Sequence, residues 1–460
     1  MATVSLDPMG QNSMQRNGVP FAVAPTGVRW RILAWLCGLS AIVYIGRICI
    51  MQVRADMETT LGLTPALTAY AFSAFSLSYA LFEMPIGWLG DRLGPRKILS
   101  RIILSCAVLT ALTGSAWNLS SLVAYRFLFG IGEAGAFPNI GRACREWFPF
   151  SERGLAQGLV WMFARWGGAV APLLIMVLAR PFGWRMGFFL MGALGLIWFF
   201  GFRKYFHDSP EQVHDLNDAE RALISQGTKD TSKPAPLSWS RMLGSPTMWA
   251  LSFMYFCSNA GWSFFATWIT PFLRADLHLS GVGLVLASGG PLFFGGIACL
   301  LGGFLTDRQV RIWGRRWGRT LQGVIAYALG GACMIVAVLA TQNHIILAYS
   351  ALCLSSFVKD FGMPASWATT IDIGHRYSGT VGGAMNTLGN LAQVITVPIV
   401  AQIAIAAGEP GHPSWKATLY YYAAMFFVAA ICWLFVDPRR VIVYSESDRQ
   451  RLIAEGRLTL

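Results

Sequence analysis

Apolar runs of about 20 residues recur along nearly the whole 460-residue chain, separated by short polar connections. That is the length a helix needs to cross a hydrocarbon core of roughly 30 Å. None shows the period-two alternation of a membrane β-barrel strand. The pattern predicts an all-α polytopic membrane protein of twelve spans. In the first half they fall near 31–53, 65–89, 97–116, 120–143, 154–178 and 185–206; in the second, near 247–273, 282–306, 320–340, 344–371, 377–407 and 415–436. The long polar interior segment, 207–246, contains His207, Asp208, Pro210, Pro234 and Pro236, and predicts a linker with one amphipathic helix near 219–226. It separates two six-helix bundles, 29–206 and 247–438. Residues 1–28 predict a disordered tail, and 439–460 a second tail.

Charge orients this pattern. Arg29 and Arg31 precede the first span; Arg92, Arg96, Lys97 and Arg101 follow the second; Arg142, Arg145 and Arg153 surround the fourth connection. Arg203 and Lys204 open the linker, Arg308, Arg311, Arg315, Arg316 and Arg319 fill the eighth connection, and Arg439 and Arg440 follow the last span. The alternate connections hold Arg54, Arg180, Arg274 or nothing basic. By the positive-inside rule both tails are cytosolic, which places a multi-pass chain in the cell (inner) membrane. The net charge of +13 then serves orientation and not nucleic acid, and the expected surroundings are the lipid bilayer and a small anionic substrate, with the chain a monomer. The nine cysteines sit in or beside apolar runs without metal-ligand spacing, and are read as small apolar core residues. No metal or cofactor is expected. Asn118, Leu119 and Ser120 form a glycosylation sequon in a connection too short to modify.

Candidate chemistry lies within the spans. Arg126 and Glu133 are seven residues apart in one apolar run. A helix puts them on one face, roughly 10 Å apart along the axis. Intramembrane charges are costly and face a bundle interior or a water-filled path, so a cation and a titratable acid on one face suggest an anion transporter coupled to protons. Gly130, Gly132 and Gly135 have the dinucleotide-fingerprint spacing but no preceding strand, so they predict close helix packing instead. Arg47 lies deep in the first span, where a guanidinium can hold a carboxylate through two parallel hydrogen bonds. Arg165 in the fifth either pairs with Glu133 or binds the second carboxylate of a dianion. Lys359 and Asp360, being adjacent, are expected to point to different sides of their helix. Gly87, Asp91 and Arg92 close the second span, and Gly303, Asp307 and Arg308 repeat them at the end of the eighth, about 215 residues on. That predicts parallel internal repeats.

At these residues, with Gly94, Arg96 and Lys97, the chain resembles the major facilitator superfamily over all twelve spans. The resemblance implies two pseudo-symmetric six-helix bundles that alternate access. It gives Gly87, Asp91, Arg92, Gly94 and Arg96 a latching role at the cytosolic gate, with Asp307 and Arg308 as the degenerate second copy. Glu83, two turns before Asp91, is assigned to the same gate. Four further stretches are similar to the anion:cation symporter branch, in particular bacterial galactonate, glucarate and hexuronate permeases: 126–139, 146–154, 255–268 and 367–381. This implies a secondary active importer of an organic anion, a sugar acid such as a hexonate, hexuronate or aldarate, by proton symport, with sodium left open as coupling ion. By the same resemblance Arg47 and Arg126 anchor the carboxylate, Glu133 carries the proton, and Tyr79 and Asn390 match positions the branch uses for substrate. Tyr44, Asn259, Asn386 and Gln393 complete a polar lining, and Trp262 is the substrate contact among Trp262, Phe265 and Trp268. One departure stands out. The family often has aspartate before the first-span arginine, where this chain has Gly46. Glu133 is then the coupling acid left in the first half, and facilitated transport or exchange gains weight. The competing functions are an aromatic-carboxylate importer, an anion exchanger, an efflux pump and a non-transporting sensor. No nucleophile–base pair suggests an enzyme.

Overall fold

The computed structural model describes residues 24–225, 237, 239–341, 344–409, 414–440 and 442. The expected tails beyond these limits, and linker residues 226–236, lie outside the described residues. Val28–Gln52 is span 1, Pro65–Leu93 span 2 and Pro95–Gly114 span 3. Span 4 is two helices, Leu119–Glu133 and Ala136–Trp147. Arg153–Tyr205 runs as two rods, spans 5 and 6, meeting at Gly183. Span 7 comprises Pro246–Ser263, a π turn at Phe264–Trp268, and Ile269–Ala275. Gly281–Ala340 is again two rods, spans 8 and 9, meeting at Gly314. Ile345–Phe361 and Met363–Gly374 make span 10, Ser378–Ala406 span 11 and Lys416–Phe435 span 12. Arg54–Leu61 lies between spans 1 and 2, and the linker carries Asp218–Ser225 and Trp239–Leu243.

Local chemistry sets these boundaries. Proline occupies the first helical position at Pro65, Pro95 and Pro246, where a missing N–H costs nothing. Thr64 and Ser245 cap their helices, and Asn118 and Ser121 form a reciprocal capping box at the start of span 4. Gly94 and Gly314 turn span 2 into span 3 and span 8 into span 9 at φ 88° and 74°, a backbone open to glycine alone at low cost. The internal repeat thus extends to its turns.

The molecule is apolar outside and charged inside. Ile346, Leu286, Ile197 and Phe200 are strongly exposed, whereas Glu83, Glu133, Arg165, Lys359, Asp360, Asp372 and Arg319 are buried. Six helical stretches are apolar and long enough to cross a membrane by composition alone, and two of these hold two rods each. Spans 2, 4, 5 and 7 are not among them; the first three carry Glu83 and Asp91, Arg126 and Glu133, and Arg153 and Arg165. Spans 1–6 pack among themselves, as do spans 7–12, and the bundles meet mainly along spans 2 and 11 and along spans 5 and 8.

Candidate functional site

Two matched joints tie the bundles at the end that bears the arginine-rich connections, called here the basic end. Asp91, at the end of span 2, accepts hydrogen bonds from the N–H groups of Gly379 and Thr380 (3.0 and 2.6 Å) and from the Thr380 hydroxyl (2.7 Å). Asp307, at the end of span 8, accepts from the N–H groups of Gly154 and Leu155 (2.9 and 2.7 Å). Each aspartate therefore caps the first turn of a helix in the opposite bundle, where orphan N–H groups and the positive helix end favour a carboxylate. The glycine one turn earlier permits the approach. A side chain at Gly87 would stand 2.3 Å from the Gly379 carbonyl oxygen, and one at Gly303 would stand 2.4 Å from that of Gly154. A third joint is wholly buried: Asp372 of span 10 accepts from Arg153 of span 5 (3.2 Å) and from Arg319 (2.8 Å). His375, in the following 3-10 turn, is pushed down to about 4 by burial and by the nearby cations Arg145 and Arg153.

The other residues expected in the gate are placed differently. Arg92 lies over Trp88 and Arg308 is exposed, and neither forms a salt bridge to the opposite bundle among the described residues. Arg96 donates to the Arg203 carbonyl, and its N–H to Asp208, while Gly94 packs against Asp208; both serve the linker. The cation beside Asp91 is Arg142, at 3.6 Å. These cations are long and solvated, whereas a buried carboxylate is satisfied by fixed backbone donors.

Between the bundles lies a small, nearly filled cavity. Of the residues expected to touch substrate, Tyr44, Arg47, Tyr79, Arg165, Trp262, Asn386, Asn390 and Gln393 line it, as does Asn259. Arg47 donates twice to Glu133 Oε1, through Nε at 2.9 Å and through its terminal nitrogen. Glu133 Oε2 is buried without a hydrogen-bond partner. Span 4 breaks immediately beyond Glu133, at Gly135 with φ 79°, where a side chain would also collide with Ile86.

Arg126 is not part of this wall. It sits one ring behind, between Phe75 and Phe129 at 4.7 Å each, and Phe75 faces Arg47 on its other side at 5.3 Å. Arg126 is buried, its Nε has no hydrogen-bond partner, and it forms no salt bridge among the described residues. Arg165 does not pair with Glu133. Its guanidinium holds Asp360 of span 10 through two bonds of 3.0 and 2.9 Å, donates to the Tyr44 hydroxyl at 3.1 Å, and stacks on Trp262 at 3.9 Å. Lys359 and Asp360 do not diverge as adjacent helical residues should: the flexible lysine reaches back to its neighbour, Nζ to Oδ1 2.7 Å. Glu83 lies beneath the cavity and accepts from Asn386 at 2.6 Å.

The cavity also has an aromatic wall that sequence reasoning missed: Phe137, Trp161 and Tyr255, with Met363. Trp161 stacks on Phe137 at 4.3 Å and its indole N–H is unpartnered. Its four-residue spacing from Arg165 was the available signal, since such positions share a helix face. Phe265 is buried in packing and Trp268 stacks on Trp415, so Trp262 alone of that set reaches the cavity.

Two matched bundles joined at one end around a charged central cavity have the architecture of a membrane carrier. Residues 36–397 match the Major Facilitator Superfamily, and the chain belongs to that family. It is an integral membrane transporter and not an enzyme. It is similar to a probable sulfoacetate transporter of Cupriavidus necator, 32% identical over 89% of this chain and 94% of that one. A probable galactarate/D-glucarate transporter of Bacillus subtilis is 28% identical over 92% and 95%, and a chloroplastic ascorbate transporter of Arabidopsis thaliana 26% identical over 90% and 76%.

Proposed function

We propose that the chain imports a small organic anion bearing two acid groups, by proton symport with alternating access. The observation that carries this reading is the charge around the cavity. Arg47, Arg165 and Lys359 form salt bridges only with Glu133 and Asp360 among the described residues, and Arg126 is buried there without a salt bridge. A buried guanidinium without a counter-charge is expensive, and an anionic substrate supplies what is missing. Arg47 and Arg165 approach Tyr44 from two sides, so a dianion can place one acid group toward Arg47 and Arg126 and the other toward Arg165 and Lys359. Asn259, Asn390, Gln393 and Tyr255 offer donors and acceptors to hydroxyl groups between them, which favours an aldarate.

A second reading, a compact sulfonated carboxylate, is favoured by the small cavity and the sulfoacetate relative. Galactarate, glucarate and sulfoacetate are all dianions at neutral pH, so the two readings share one chemistry. With the basic end cytosolic, the joints at Asp91, Asp307 and Asp372 close the cytosolic side. When the substrate draws Arg47 away, Glu133 takes a proton instead. Proteoliposomes loaded at alkaline pH and diluted into acid should accumulate the dianion. Glu133→Gln should abolish accumulation yet retain exchange of internal for external substrate; full gradient-driven accumulation by that variant refutes coupling at Glu133.

A further inference from the structure

Glu83 lies ten residues, roughly 15 Å, from the basic end of span 2, and is fully buried. It forms no salt bridge among the described residues. Its oxygens accept from three donors: the Gly135 N–H at 2.9 Å, the Asn386 amide at 2.6 Å and the Tyr79 hydroxyl at 3.4 Å. The charged and titratable groups around it are Tyr79 on its own helix, Arg47 of span 1 and Glu133 of span 4; span 11 presents the neutral Asn386. Arg47 thus serves both acids, and its guanidinium is bonded to Glu133 and lies 4.5 Å from the Tyr79 ring. A carboxylate in the membrane interior without its own cation is most cheaply kept by holding a proton.

The placement of its donors gives that proton a direction. Gly135 and Tyr79 belong to the same bundle as Glu83, but Asn386 belongs to the opposite one. Thr387 beside it donates across the same seam to the Ala80 carbonyl, at 3.2 Å. Tyr79 and Asn386 separate Glu83 from the cavity, and both line it. When the bundles part at the basic end, Asn386 leaves and the carboxyl faces the opened cleft.

We propose that Glu83 is a second proton-carrying group of the transport cycle, which loads through Tyr79 while the basic end is closed and discharges to water there once Asn386 withdraws. The loaded species is the neutral carboxylic acid; discharge leaves the carboxylate, held by the Gly135 N–H and by water. This rests on the proton-symport reading above.

The test is the proton-to-substrate ratio in proteoliposomes, from the substrate gradient that balances imposed pH and electrical gradients, with D-glucarate and sulfoacetate as probes. If the wild type ignores the pH gradient, the symport reading falls, independently of Glu83. If the wild type is coupled, Glu83→Gln should lower the ratio by one proton while exchange remains measurable, and Asn386→Ala, which keeps the acid, should retain the ratio. An unchanged ratio in Glu83→Gln overturns the proposal, as does a parallel loss of binding and stability with the ratio intact. Should Glu83→Gln fail to fold, the infrared band of a protonated carboxyl in the wild type should shift in Glu83→Asp; a missing or unshifted band overturns it.

Discussion

Arg126 and Glu133 are two turns apart on one helix, and that much was legible from their spacing. Their partners were not. Two turns is too far for a direct ion pair, so Glu133 takes Arg47 from span 1, and Arg126 is left between two phenyl rings. Such partners come from packing that a single sequence does not state. Arg126→Leu should therefore lower substrate-induced thermal stabilisation to nothing while leaving the melting temperature of the empty protein unchanged or higher, because a buried unpaired charge is removed. A melting temperature that falls sharply would show Arg126 to be structural. The Arg165, Asp360 and Lys359 cluster predicts an asymmetry. Asp360→Asn strands two buried cations and should cost about 3 kcal/mol, whereas Arg165→Gln leaves Asp360 with Lys359 and should cost about 1 kcal/mol. Equilibrium unfolding in detergent of both variants and their double mutant measures the difference and the coupling.

At the scale of elements, the spacing of Gly87 and Asp91 and its second copy marked two joints between the bundles, because glycine and aspartate one turn apart are a local pattern. The arginines that accompany them in sequence misled. Arg92 and Arg308 are solvated, and the aspartates work as caps on helices of the other bundle. Losing a cap costs about 1 kcal/mol, enough to shift a two-state equilibrium about fivefold. Asp91→Ala or Asp307→Ala should accordingly raise the alkylation rate of Cys144, buried near the basic end, by about that factor in a variant lacking the other cysteines. No change in rate would remove the caps from the gate. His375 contributes to the pH dependence of this end. Between about pH 6.5 and 4 the unfolded chain holds its proton and the folded chain does not, so folding stability falls as pH drops through that window. His375→Asn should gain in melting temperature relative to wild type as the pH is lowered, and the reverse trend would contradict the burial. The linker helix Asp218–Ser225 was also legible, from its amphipathic pattern. Its docking was not: Glu220 accepts from the N–H groups of Val28 and Arg29 and from the Arg29 guanidinium, and so caps span 1 from the linker.

For the whole molecule, apolar period, basic connections and the internal repeat foretold an all-α carrier. The charge around the cavity was harder to read, because Lys359 and Asp360 come to stand behind Arg165 of its wall only when span 10 meets span 5. The central claim is that the excess of cations around the cavity selects an anion with two acid groups and that protons drive its uptake. The most direct measurement is initial uptake of labelled D-glucarate and of labelled sulfoacetate into proteoliposomes, inside alkaline, with glycerate and acetate as one-acid competitors. The expected result is accumulation of at least one dianion above the external concentration, collapsing with a protonophore and resisting an excess of either monoanion. Uptake that merely equilibrates, or that the monoanions block as well as the dianions do, would contradict the account.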